Sequence, residues 1–351
     1  MRTESPLYQV PAMGLDIVLS RQSRSTGRVR LMLGAAAALL IVQGTSAQLS
    51  YSSGQIVSPA YEGWQQNEDG SSSFVFGYMN SNWLEELDVP AGPDNNIEPG
   101  GPDQGQPTHF LPRRNRFIFT VRVPKDFGQK EMIWTLTTHG KTVKAYASLK
   151  TDYVLENIDL MSERGTLGAG TSSPEIRANK PPDLKIEGAK TRSVKAGQPL
   201  AIVARVTDDG VPRVRFRGNA GEPPPTARGS QNRPQDTAAA SPFAAGPFAD
   251  PAFSPPKQST VGNSTGLHLS WFVYRGAGNV TFSPAQIKVW EDTRAGANSP
   301  WAPRWIAPAI PSDGKLTTDV TFDEPGTYVL RGRADDGGLW TDEDVTVTVT
   351  R

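Results

Sequence analysis

Apolar and polar residues alternate with a period of two in most apolar segments after residue 48. The clearest examples are Asn115–Val123, Glu131–Thr138, Leu267–Tyr274 and Asp342–Thr350. This alternation is typical of β-strands that bury one face, and helical periodicity is almost absent from the same part of the chain. Short strands separated by turn residues favour sandwiches, and the chain contains 34 glycines and 30 prolines. We therefore predict an all-β protein.

The absence of cysteine excludes several classes of structure and chemistry. With no cysteine in 351 residues, the chain has no disulfide framework, thiol nucleophile, thiolate zinc site or lipidated N-terminal cysteine. The 36 basic and 36 acidic residues balance, which argues against nucleic-acid binding through a basic face. A protein of this composition has to fold by core packing alone.

The first 47 residues have the order of a secretory signal. Four arginines between positions 21 and 30 precede the uncharged apolar run Leu31–Val42, and the small residues Thr45–Ala47 follow. A helix of about twelve residues rises about 18 Å, less than the roughly 30 Å of a bilayer core. We predict a cleavable signal peptide with an extended leader at 1–47, cleaved after Ala47, with an uncleaved anchor as the alternative. No later stretch is apolar enough to span a membrane, so we expect Sec-type export to the periplasm or the cell exterior.

Differences in amino-acid composition divide residues 48–351 into three segments. We predict an N-terminal β-sandwich at 48–150, a linker at 151–180 and a second, immunoglobulin-like sandwich at 181–351. Residues 217–261 hold nine prolines and few large apolar residues. Such a stretch cannot bury enough apolar surface to offset the entropy of ordering, so we predict a disordered insertion there. The proline- and glycine-rich segment Asp88–Pro112 is predicted to be a long loop.

The second sandwich carries strings that resemble a known family. They are KAGQP at 195–199, VTDDG at 206–210, EPGTYVLRGRADDG at 324–337 and the terminal DVTVTVT, with Trp271 in the middle of a strand. This part, 181–216 and 262–351, resembles the PKD-type immunoglobulin-like domains of secreted bacterial proteins. The resemblance implies that Trp271 is the buried strand-C tryptophan and Tyr328 the tyrosine corner. Modules of this type serve as spacers, adhesion units and glycan-binding partners.

The first sandwich has distinctive strings of its own. SPAYEGWQQNEDGSSSFVFGYMN at 58–80 and GPDQGQPTHFLPRRNRFIFTV at 101–121 look like those of an uncharacterised family of exported bacterial proteins. That resemblance implies no activity.

Aromatic and basic residues supply the candidate ligand-binding groups. Sugar rings stack on exposed aromatic rings, which singles out Tyr61, Trp64 and Trp83 and, in a proline-rich loop, Trp301 and Trp305. The alternative is that these rings fill a core. Arg113 and Arg114 follow His109 closely and could grip an acidic group with two parallel hydrogen bonds. Their alternative role is a charged strand edge that blocks further sheet pairing.

Acidic residues suggest two metal hypotheses. Calcium prefers carboxylate and carbonyl oxygens, which the turns at Asp208-Asp209 and Asp335-Asp336 both offer. The alternative is that these aspartates simply form turns. The second hypothesis is a metal-dependent enzyme in the 94–116 loop, built from His109, Asp103 and Glu98. Apart from calcium, the sequence calls for no cofactor.

The scarcity of catalytic groups decides the functional prediction. The chain has three histidines and no motif of a nucleophilic or paired-carboxylate enzyme. We predict an exported, non-enzymatic envelope protein that binds a protein or glycan partner, or acts as a spacer, through loops on rigid sheets. The alternatives are a carbohydrate-binding accessory protein and the metal-dependent enzyme.

Overall fold

β-Strands form most of the computed structural model, which describes residues 53–163, 173–212, 260–261, 266–286, 304–305 and 307–351. By their contacts, Ser50–Arg351 form one compact unit. The predicted signal peptide at 1–47 lies outside the described residues. In the described ranges, no helix is both long and apolar enough to cross a membrane.

Two antiparallel three-stranded sheets build the N-terminal sandwich. Its strands are β1 (Val57–Gln66), β2 (Ser72–Asn80), β3 (Leu87–Asp88), β4 (Asn95–Glu98), β5 (His109–Phe110), β6 (Arg113–Val123), β7 (Met132–Thr138) and β8 (Lys141–Ala147). Sheet I has the order β1-β2-β6 and sheet II the order β4-β7-β8, while β3 and β5 form a short separate ladder. A hairpin joins β7 to β8 through His139 and Gly140, both with positive φ.

Aromatic rings fill the space between sheets I and II. The period-two alternation places Phe74 and Phe76 of β2 and Trp134 of β7 in this core, all with no exposed surface. The Trp134 ring packs edge-on against Phe119 at a centroid distance of 5.0 Å. Because the chain has no disulfide, these contacts hold the sandwich together.

The segment predicted as a long loop, 88–112, contains two short strands instead, since β4 joins sheet II and β5 pairs with β3. Asn95 explains the order. Its Nδ2 donates to Val89 O and Pro107 O at 2.9 and 2.8 Å, and its Oδ1 accepts from Trp134 Nε1 at 2.9 Å. One buried amide thus ties the segment to the core, a contact that residue spacing does not reveal.

Two four-stranded sheets build the C-terminal sandwich. Its strands are β9 (Asp183–Ile186), β10 (Thr191–Lys195), β11 (Leu200–Thr207), β12 (Thr260–Val261), β13 (His268–Arg275), β14 (Val280–Ser283), β15 (Arg304–Trp305), β16 (Lys315–Phe322), β17 (Gly326–Asp335) and β18 (Trp340–Thr350). Sheet III has the order β10-β18-β17-β13 and sheet IV the order β14-β16-β11-β9. The β10–β18 pair is parallel, as is the short β12–β15 pair.

The C-terminal core has the features expected of an immunoglobulin-like sandwich. Trp271 is buried between sheets III and IV. The Tyr328 hydroxyl donates to Glu324 O, four residues upstream, at 2.9 Å, which is the contact of a tyrosine corner. The prediction of an all-β protein with two sandwich units is confirmed.

Short helical turns lie in the segment predicted as a linker, 151–180. They are a 3₁₀ turn at Thr151–Tyr153, α1 at Asn157–Glu163 and α2 at Pro174–Arg177. In α1, Leu160 and Met161 are buried against Val75, Phe117 and Leu339. This segment therefore contributes to packing, while the predicted domain boundaries stay predictions. Of the predicted insertion at 217–261, only Thr260–Val261 is among the described residues.

Candidate functional site

Tyr61 and Trp64 lie at the surface of the N-terminal sandwich beside two exposed residues. The Tyr61 ring packs on Tyr153 at a centroid distance of 5.4 Å, and its hydroxyl donates to Ser148 O at 2.6 Å. Trp64 Nε1 donates to Lys150 O at 2.9 Å. Tyr153 and Val154 are 46% and 42% exposed. We call Tyr61, Trp64, Tyr153 and Val154 the aromatic patch.

Backbone hydrogen bonds and packing on the core hold the aromatic patch in place. Trp64 pairs with Val154 through a parallel bridge, and Leu155 N donates to Trp64 O at 2.8 Å. Tyr61 and Trp64 also pack against the N-terminal core. Rings fixed in this way lose little conformational entropy when a partner covers them.

Trp83 and Arg113 form a second pair that the sequence placed among the candidates. The Arg113 guanidinium carbon lies 4.3 Å from the centroid of the half-buried Trp83 ring. Arg113 Nη1 also donates to Ser81 O at 3.2 Å. The guanidinium is therefore engaged within the protein.

Arg114 is also engaged, because it neutralises a buried carboxylate. Its Nη2 lies 2.5 Å from Glu62 Oε1, and the Glu62 side chain is only 7% exposed. Burial raises the pKa of the Glu62 carboxyl, while the charge and hydrogen bond of Arg114 act in the opposite direction. A Cβ at Gly77 would lie 2.3 Å from Glu62 Oε1, so glycine leaves the space for this ion pair.

His109 is buried between two carboxylates. Its Nδ1 lies 2.8 Å from Asp88 Oδ1 and its Nε2 lies 3.0 Å from Glu86 Oε2. Burial alone lowers the pKa of the imidazole, but the hydrogen bonds to Asp88 and Glu86 and their charges outweigh it and raise the pKa to about 9. His109 is therefore a charged structural group at neutral pH.

The predicted metal set in the 94–116 loop does not come together. His109 contacts Glu86 and Asp88, whereas the Asp103 carboxylate binds Arg275 at 2.7 and 3.0 Å. The hydrogen bond from Arg275 holds the pKa of Asp103 below its usual range. Across the residues that the structure describes, no three His, Asp or Glu side chains are placed to hold one metal ion.

The aspartates of the two turns predicted to bind calcium form Asx-type turns. Asp208 and Asp209 accept from Gly210 N and Val211 N, each at 2.9 Å, and burial raises the pKa of Asp208. Asp335 accepts from Gly337 N at 2.7 Å. These contacts are those of turn formers. Calcium binding at these turns stays a prediction.

Asp336 is more tightly held than its neighbours. Its Oδ1 accepts from Gly338 N and Leu339 N at 2.5 and 2.7 Å, and its Oδ2 accepts from Asn179 Nδ2 at 3.1 Å. Burial raises the pKa of Asp336 to about 6, against the lowering effect of the amide donors. The carboxylate thus links the β17–β18 turn to the segment that follows α2.

The remaining sequence candidates, Trp301 and Trp305, cannot be placed. Trp301 lies outside the described residues. For Trp305 only the backbone is described, in β15.

Two arginines that the sequence analysis missed join the sandwiches. Arg331 forms a bidentate pair with Asp344 at 2.7 and 2.8 Å, donates to Ile118 O at 2.6 Å and lies 3.5 Å from the Tyr274 ring centroid. Arg333 forms the matching pair with Asp342 at 2.7 and 2.8 Å. Arginines at alternate positions of β17 lie opposite aspartates at alternate positions of β18. This pattern of opposite charges in the sequence could have indicated the pairing.

A groove of about 540 Å³ lies beside this junction. Its charged lining consists of Arg275, Arg331, Asp342 and Asp344, and its apolar lining includes Ile118 and Val329. Arg275 binds Asp103, and Arg331 binds Asp344. Since these charges already satisfy one another, the groove is a structural feature of the junction.

Comparison with known proteins gives a general similarity only. No protein-family model and no curated protein matches the chain. Among solved structures, the eight N-terminal Ig domains of Down syndrome cell adhesion molecule are 8% identical with a TM-score of 0.21, covering 84% of this chain and 27% of that one. The Yersinia pseudotuberculosis adhesin InvE is 10% identical with a TM-score of 0.22, covering 83% and 58%. Titin domains z1z2, in complex with telethonin, are 8% identical with a TM-score of 0.21, covering 85% and 98%.

The chain spans only about a quarter of the cell adhesion molecule's chain and 28% of that of the S-layer protein rSbsC(31-844). TM-scores of about 0.2 are too low to indicate a shared arrangement of the sandwiches. The fold described above therefore rests on the strand pairing and the tyrosine corner.

Proposed function

We propose that this protein is an exported, non-enzymatic interaction protein of the cell envelope that contacts a protein partner through the aromatic patch. The observation that carries the proposal is the exposure of Tyr153 and Val154, 46% and 42%, beside the fixed rings of Tyr61 and Trp64. Tyrosine and tryptophan are enriched in protein interfaces, where their rings supply large contact area.

The environment of the ionisable groups supports a role without catalysis. His109, Glu62 and Asp336 all have a raised pKa, and each is held by hydrogen bonds to other protein groups. Perturbed pKa values often mark catalytic groups, but structural ion pairs perturb them as well. Each of these three groups fits the structural explanation.

The finer assignments of the sequence analysis belong to this proposal. We take the C-terminal sandwich to be of the PKD type and the N-terminal sandwich to belong to an exported bacterial family. A carbohydrate-binding role for Trp64 and Trp83 is the second candidate, favoured by their partial exposure.

Site-specific photo-crosslinking tests the proposal. A photoreactive phenylalanine derivative at position 153 is expected to capture one partner in intact envelopes. The same derivative at Thr317, on the exposed face of sheet IV, serves as the matched control. Equal capture from both positions, or none from position 153, would contradict the proposal, and loss of capture with added envelope glycans would favour the carbohydrate role.

A further inference from the structure

The outer edge of strand β6 lies along the groove beside the junction arginines. β6 ends sheet I, whose order is β1-β2-β6. Ile118 and Thr120 of β6 both line the groove, which has a volume of about 540 Å³. One wall of the groove is therefore the backbone edge of a strand.

The hydrogen bonds at the two ends of β2 show which way its backbone groups point. Ser71 O accepts from Asn67 N, and Ser81 N donates to Ile56 O, so at both ends the odd-numbered residues face the β1 side. Along an antiparallel strand, the hydrogen-bonding groups of successive residues point to opposite sides. The even-numbered residues of β2 therefore face β6.

The same alternation fixes the direction of the backbone groups in β6. Phe74 of β2 pairs with Val121 of β6. Val121 therefore faces β2, and its neighbours Thr120 and Arg122 direct their N–H and C=O groups away from β2. Ile118, two residues before Thr120, agrees with this direction, because its carbonyl accepts from an arginine that lines the groove.

Thr120 and Arg122 form an open stretch of this edge. Both residues are exposed. In the ranges that the structure describes, no hydrogen bond reaches their backbone N–H or C=O groups from outside sheet I. Unpaired groups of this kind are a template for another extended chain. When a peptide adds a strand to a sheet, main-chain hydrogen bonds to such an edge supply the affinity.

The size of the groove suits a short stretch of extended chain. A strand rises about 3.3 Å per residue, lies about 4.8 Å from its neighbour and occupies a layer about 10 Å thick, which is roughly 160 Å³ per residue. About three residues therefore fill the groove of 540 Å³. This length matches the open edge from Thr120 to Arg122.

The charges around the groove favour an uncharged occupant. The arginines that line it are already bound to Asp103 and Asp344. A charged side chain placed there would lose its hydration without gaining a partner, which is costly. Val329 and Thr346 lie opposite each other on sheet III and offer the groove an apolar side chain and a hydroxyl. Uncharged β-branched side chains match such a surface.

We propose that the edge of β6 at Thr120 and Arg122 binds an extended, uncharged segment of a partner protein, which pairs with β6 as an additional strand of sheet I. The backbone of that segment completes the hydrogen bonds of Thr120 and Arg122, and side chains on one of its faces contact Val329 and Thr346. The proposal does not depend on the role of the aromatic patch, since β1 and β6 are opposite edges of sheet I.

Backbone amide resonances of the edge residues test the proposal. Chain 48–351, which contains the whole compact unit Ser50–Arg351, is titrated with the blocked peptide acetyl-TVTVT-amide. The control peptides are acetyl-EVEVE-amide, acetyl-KVKVK-amide and a TVTVT peptide methylated at every backbone nitrogen. We expect the TVTVT peptide to shift the Thr120 and Arg122 amides saturably and to slow their hydrogen exchange. Each control peptide should bind at least tenfold more weakly.

Two variants at one position separate the backbone from the side chain. Thr120→Pro removes the outward N–H without breaking a ladder bond to β2, and proline is tolerated on strand edges. It should weaken binding of the TVTVT peptide about tenfold, the ratio that loss of one hydrogen bond produces. Thr120→Val keeps the N–H and should leave the affinity unchanged. If Thr120→Pro does not fold, the methylated peptide tests the same hydrogen bonds from the other side.

Several results would overturn the proposal. One is that the TVTVT peptide leaves the Thr120 and Arg122 amides in place, and another is that the methylated or charged peptides bind equally well. A third is that both amides are already protected from exchange in the free protein. Protection that grows with protein concentration would assign the edge to a second copy of this chain, and protection independent of concentration would assign it to the chain itself.

Discussion

His109 owes its buried charge to the pairing of two very short strands. Asp88 of β3 is paired directly with His109 of β5, which brings the carboxylate to Nδ1, and Glu86 reaches Nε2 from just before β3. A buried imidazolium is costly unless it is paired, and here two carboxylates compensate one cation. The residue is thus a structural tie between the β3 and β5 segments.

This arrangement makes stability depend on pH in the alkaline range. The folded pKa of His109, about 9, lies above its unfolded value of about 6.5. The stabilisation is therefore complete below pH 6.5 and is lost as the pH rises through 9. We expect the free energy of unfolding to fall by up to about 3 kcal/mol over this range, measured by urea denaturation at successive pH values.

A pair of variants isolates the contribution of His109. His109→Gln should abolish the alkaline slope, because glutamine does not titrate. His139→Asn changes a histidine at the β7–β8 turn, where asparagine tolerates the positive φ, and should keep the slope. An unchanged slope in His109→Gln would assign the pH dependence to other groups.

At the scale of the elements, β6 is an edge strand that ends sheet I. Unpaired carbonyls on such an edge attract further strands unless something covers them. A bulge opposite Gly77 and the positive φ of Phe117 turn this edge towards sheet III, where Arg331 binds Ile118 O. Arg331 thus gives one carbonyl of this edge strand a hydrogen-bond donor, and it joins the two sandwiches.

Replacing Arg331 should therefore destabilise the protein strongly. Arg331→Ala leaves Asp344 without its bidentate partner and Ile118 O without a donor, for which we expect a loss of about 2–4 kcal/mol. Arg331→Lys should recover only part of this, since an ammonium group neither forms the planar double contact nor lies flat on Tyr274. Chemical denaturation of the three proteins measures the difference.

An exposed ion pair provides the control for Arg331. Arg122 of β6 is paired with Asp69 of the β1–β2 turn, but their side chains are 62% and 56% exposed. Solvent screens such a pair, so Arg122→Ala should leave the denaturation midpoint unchanged within error. If Arg331→Ala behaved like Arg122→Ala, the junction would not depend on this contact.

At the scale of the whole molecule, the hydrophobic cores do not separate cleanly between the sandwiches. Phe272 and Tyr274 lie on strand β13 of sheet III, yet they belong to the cluster that fills the N-terminal sandwich. Leu339, between β17 and β18, packs against α1 and β2. A substitution that destabilises one sandwich should therefore destabilise the other as well.

We accordingly expect one cooperative unfolding transition. Trp134→Phe leaves a cavity in the N-terminal core and removes the bond to Asn95, costing about 2 kcal/mol. Hydrogen exchange should show the same loss of protection in β7 and in β16, the latter being part of sheet IV. Loss of protection in β7 with β16 unaffected would show that the sandwiches unfold independently.

The sequence by itself determined the class of the fold and several of its longer strands. Period-two alternation predicted β6, β7, β13 and β18 because the side-chain direction of a strand is a local property. The tyrosine corner of Tyr328 was implied by the resemblance to PKD-type domains, and its partner Glu324 lies only four residues upstream. The predicted signal peptide and insertion stay predictions.

Only the tertiary structure decided which polar residues meet. Arg331 reaches Ile118 across 213 positions and Arg275 reaches Asp103 across 172. The partners of His109, 21 and 23 positions away, depend on a ladder of two residues per strand. Such contacts arise from how sheets stack and how bulged edges turn. Alternation fixes which face of a strand is buried, but it carries no information about which other element covers that face.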